Sequence, residues 1–141
     1  METLCHHASL LGARHIVAAG IDGTDLKPLL RSMGGLAGGC VLTTRSYSAT
    51  AAIENLSAGL ALSMRGDNGA AKTHLLGNVD VVVQISVNGR ESTKVLEILD
   101  TNGRQELLFS SEEGEASEAN APAWFEQAVR DGYELNQKLF G

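Results

Sequence analysis

Apolar positions along the chain change their spacing twice, and the changes mark out its elements. A short apolar run, His15 to Ala19, ends at Gly20, and Gly20-Ile21-Asp22-Gly23-Thr24-Asp25 then supplies turn residues and a helix cap. Leu26, Leu29, Leu30 and Met33 follow at i, i+3, i+4 and i+7, which places them on one face of a helix that breaks at Gly34-Gly35. Beyond the loop Gly34-Gly35-Leu36-Ala37-Gly38-Gly39, Cys40 to Thr44 reads as a second strand. Ser46 to Ser48 offer caps for a second helix, in which Ala49, Ala52, Ile53, Leu56, Leu60 and Met64 recur at helical spacing up to Gly66. The order β-α-β-α predicts an α/β fold with parallel strands, because each parallel crossover needs a connection of that length.

From Val79 the period becomes that of strands. Val79 to Val87 and Ser92 to Leu99 flank Asn88-Gly89, a pair that tolerates the positive φ of a tight hairpin turn. Asn102-Gly103 leads on to Gln105–Phe109, so a three-stranded meander is predicted. Residues 110–120 are small and acidic without an apolar anchor and read as a mobile loop. Pro122 to Gly132 reads as a short amphipathic helix that docks through Trp124 or Phe125. A length of 141 residues predicts one domain over residues 1–141.

Composition removes several function classes. No apolar run approaches the roughly 20 residues of a membrane helix, and Met1–Leu11 has no basic head followed by an apolar stretch, so a cytoplasmic protein is expected. A net charge of −6 with no basic block argues against nucleic acid as a partner. Cys5 and Cys40 lack any CxxC spacing, and Cys5, His6 and His7 point in different directions around a helix, so no metal site is expected. Ser46, Ser48 and His74 form no nucleophile–base spacing. The glycine-rich loop, with Gly34, Gly35, Gly38 and Gly39, could offer backbone N–H groups to an anion, but it opens no helix with a Lys-Ser/Thr pair and reads as a plain loop.

The order of these short motifs resembles the ATPases of the type II/type IV secretion superfamily, in particular the pilus-assembly (tight-adherence) and conjugation branches. Ile16-Val17-Ala18-Ala19-Gly20-Ile21-Asp22-Gly23-Thr24-Asp25 and Leu29 to Gly35 are similar to the strand ending in Gly-Glu-x-Arg (Walker B) and the helix after it. Gly39 to Ser48 is similar to the strand and histidine box, Thr-Ile-His-Ala-Asn-Ser. Asn78 to Gln84 and Lys94 to Ile98 resemble the Ala-Ile-Asp-x-(Val/Ile)-Val-x and Val-x-Glu-Ile strands, and the tail from Pro122 to Phe140 resembles the ending of the pilus branch. The resemblance runs from Leu4 to Ile98 almost without gaps. It implies the second half of a RecA-like, P-loop NTPase-type core.

The departures fall at the chemistry. The chain has no Walker A loop, GxxxxGK[ST], to cradle phosphates and supply lysine and a metal-binding hydroxyl. In the Walker-B-like region, Ala19, Gly20, Asp22 and Asp25, the family's glutamate falls at Gly20 and its arginine at Asp22. In the histidine-box-like region, Thr43, Thr44 and Arg45, the histidine falls at Arg45, which keeps a donor but loses an imidazole acceptor. Asp25 matches an acidic position, although a carboxylate there also suits a helix N-terminus. No catalytic residue and no cofactor is therefore assigned; ATP and Mg²⁺ would enter only if an upstream half or a partner completed the site.

The resemblance implies a degenerate secretion-type domain without turnover of its own, acting as an interaction module in a homo-oligomer or on an ATPase partner subunit. A half core leaves a sheet edge and a sheet face unpaired, which independently favours association. Two alternatives stand beside it: a piece of a longer active secretion ATPase, and a small anion- or ligand-binding α/β domain using the glycine loop and Arg45.

Overall fold

The computed structural model describes residues 1–33, 38–88, 92–101, 106–112, 115–116, 121–122 and 124–134. Contacts within the chain divide it into two compact units, Met1–Asn78 and Val79–Gly141.

The first unit contains α1 (Glu2–Leu10), β1 (Ile16–Ala18), α2 (Leu26–Met33), β2 (Cys40–Leu42), α3 (Ala49–Met64) and α4 (Asn68–Leu76). β1 and β2 pair in parallel, with Ile16 opposite Cys40, Val17 opposite Val41 and Ala18 opposite Leu42. The β-α-β-α order expected from the apolar spacing is thus present. α2 forms where the spacing predicts, and Leu26, Leu29 and Leu30 are buried as one stripe. Pro28 is tolerated because it sits in the first turn, where an N–H has no helical acceptor. α2 contacts both α1, which buries Cys5, and α3.

α3 buries Ala49, Ala51, Ala52, Ile53, Ser57, Leu60 and Ala61. Small residues on that face let neighbouring backbone come close. The buried Ser57 hydroxyl is satisfied by donating to the Ile53 carbonyl at 2.7 Å. The helix begins at Ser48, whose side chain accepts from the Ala51 N–H at 3.1 Å. It ends at Arg65, which takes the left-handed conformation at φ 54°. There the N–H of Gly66 reaches the Ala61 carbonyl and closes a Schellman-type cap.

Helix α4 has no counterpart in the spacing argument. Asp67 caps it by accepting from the Ala70 N–H at 3.0 Å, and only Ala71 and Leu75 are buried. It packs along α3, where Lys72 pairs with Glu54 at 2.5 Å across the two helices.

The second unit is antiparallel. β3 (Val81–Asn88), β4 (Ser92–Asp100), β5 (Glu106–Glu112) and β6 (Glu115–Ala116) lie in that order. This is the predicted meander, with Asn88 opposite Ser92. The turns at Gly89 and at Asn102-Gly103 lie outside the described residues. Register shifts fall between Gln84 and Ile85 and between Ile98 and Leu99. Thr101 ties the end of β4 back to the start of β3: its N–H donates to the Asp80 carbonyl at 3.0 Å and its hydroxyl to the Val79 carbonyl.

Two expectations change here. Residues 110–120 were expected as a loop, but β5 continues through Ser110, Ser111 and Glu112, and Glu115–Ala116 pairs back on it. Ladder hydrogen bonds need no apolar anchor, so an acidic composition did not prevent a strand there. The remainder of that stretch lies outside the described residues. The C-terminal helix α5 (Phe125–Arg130) is shorter than expected and buries no residue, with Trp124 still 37% exposed. A single turn and a half leaves its apolar residues only half covered. Its end follows the sequence signal: Gly132 is left-handed, and the Tyr133 N–H returns to the Ala128 carbonyl.

Candidate functional site

Parallel pairing brings the two sequence regions singled out above to the same place. They leave the sheet together, at the carboxyl ends of β1 and β2, the end of an α/β sheet where ligands ordinarily bind. Thr43 holds the junction. Its N–H donates to the Ala18 carbonyl at 2.9 Å, and its carbonyl accepts from the Ile21 N–H at 2.9 Å. Its hydroxyl accepts from the Gly20 N–H at 3.1 Å. Thr44 adds a fourth bond, donating its hydroxyl to the Ile21 carbonyl at 2.9 Å. Ala19, Gly20 and Thr43 are exposed, and the side chain of Ile21 is buried beneath them.

Gly20 has φ +68°, and a Cβ added to it would meet nothing within 4 Å. Glycine is required there by backbone conformation, not by crowding. A side chain at that φ carries about 1–2 kcal/mol of strain.

Asp22 and Asp25 form a reciprocal cap at the start of α2. Asp22 Oδ1 accepts from the N–H of Thr24 at 2.8 Å, the hydroxyl of Thr24 at 2.5 Å and the N–H of Asp25 at 3.2 Å. Asp25 Oδ2 accepts in return from the Asp22 N–H at 3.3 Å. The Thr24 hydroxyl, and then the Thr24 and Asp25 N–H groups, hold the Asp22 carboxyl below its ordinary value, because each bond favours the charged form. Both carboxylates are thus engaged by the helix start, as the cap reading of Asp25 anticipated.

Arg45 is exposed, two residues beyond Thr43 on the segment that leads to the Ser48 cap of α3. Of the glycine loop, Gly34 and Gly35 lie outside the described residues. Gly38 lies against the His15 ring, and the Gly39 carbonyl accepts from the Ile16 N–H at 3.4 Å, so both border the opposite, amino end of the strands. The loop glycines that are described are therefore not neighbours of Thr43 along the strands. Among the described residues no group of three or more His, Cys, Asp or Glu side chains could hold a metal ion. No helix of the described residues is long and apolar enough to cross a membrane.

Sequence reasoning did not single out the outer face of the strand pair. Val17 and Val41 sit side by side in the register and are 76% and 61% exposed, while Ile16, Ala18, Cys40 and Leu42 are half-buried. The signal was there in principle: apolar residues at successive strand positions mark strands meant to be covered on both faces.

Compared with known proteins, the chain matches no family model, and no curated protein matches it.

Proposed function

We propose that this chain is a degenerate secretion- or pilus-assembly-type ATPase domain, the second half of a RecA-like core, which serves as a non-hydrolytic assembly module. The observation that carries this reading is the backbone at Gly20. The position that matches the catalytic glutamate of the resembling family is a left-handed glycine whose N–H is tied to Thr43. A side chain introduced there would have to accept the strain of that conformation, which fits a position that carries no carboxylate. The nearby carboxylates of Asp22 and Asp25 cap the start of α2.

The exposed Val17–Val41 face supports an assembly role. Parallel strands bury both faces in almost all folds, and a bare pair of strands is marginal alone. A neighbouring protomer, of this chain or of an active ATPase, would supply the missing layer in the oligomeric arrangement that the resemblance implies.

Calorimetric titration with Mg-ATP, run beside light scattering, tests this reading. The expected result is no nucleotide binding by a chain of defined oligomeric mass. Tight binding would overturn it, and stabilisation by phosphate or sulfate alone would favour an anion-binding domain instead.

A further inference from the structure

We draw no further inference here: the strongest candidate, the apolar surface patch on the β3–β4 pair formed by Val83, Ile85 and Val95, is an exposed sheet face, and nothing in the structure shows what covers it.

Discussion

Gly23 and Gly59 meet backbone to backbone: a Cβ on Gly59 would lie 2.6 Å from the Gly23 Cα, and one on Gly23 would lie 2.5 Å from the Gly59 Cα. The turn that follows β1 thus rests directly on the middle of α3. Alanine at residue 59 gains about 1 kcal/mol of helix propensity but forces two backbones apart, which typically costs about 1–3 kcal/mol. Gly59→Ala is therefore expected to lower stability by up to about 2 kcal/mol in urea unfolding. A gain in stability would mean that the two segments do not touch.

The bond from Gly20 to Thr43 gives a local readout. Thr43→Val keeps the shape of the side chain and removes its acceptor, at a cost of about 1 kcal/mol. Hydrogen exchange is expected to accelerate at the Gly20 amide, while the Ile21 amide, bonded to the Thr43 main chain, keeps its protection. Equal acceleration at both would show that the whole junction had opened.

Asp22 sets a direction in pH. Its folded carboxyl titrates below its ordinary value of 3.8, so its contribution is fully present above that value. The contribution is lost as pH falls through the lowered folded value. Stability of the wild type should therefore fall more steeply on acidification below about pH 4 than that of Asp22→Asn, which still accepts hydrogen bonds but does not titrate. Unfolding midpoints measured across that range, with a carboxyl NMR titration, check the sign.

Arg65 is the only described residue other than glycine with positive φ. Arg65→Gly relieves the left-handed conformation but frees the unfolded chain, so the expected net gain is about 0.5–1 kcal/mol. Thermal unfolding should show a raised midpoint.

The parts of the fold that were legible in the sequence are those governed by local spacing. Leu26, Leu29 and Leu30 announced α2 because three large residues at helical spacing leave no other way to be buried together. α4 was missed because its buried face rests on Ala71 and Leu75, too small a signal against the polar residues around them. Gly59 in a helix reads as a weak helix former until the opposing Gly23 is seen. The candidate site divides in the same way. The cap formed by Asp22 and Asp25 could be read three residues apart, whereas the Gly20–Thr43 bond depends on a parallel register that no local pattern encodes.

That register also bears on the order of events during synthesis. Gly20 is separated from the Thr43 hydroxyl that holds it by 23 residues. At translation rates of about 5–20 residues per second, the wait is about one to five seconds. Through that interval Ile16–Ala18 is an apolar strand whose β2 partner has not yet emerged, while α2 can already coil. Ile16–Ala18 therefore stays without its parallel partner until Cys40–Leu42 leaves the ribosome.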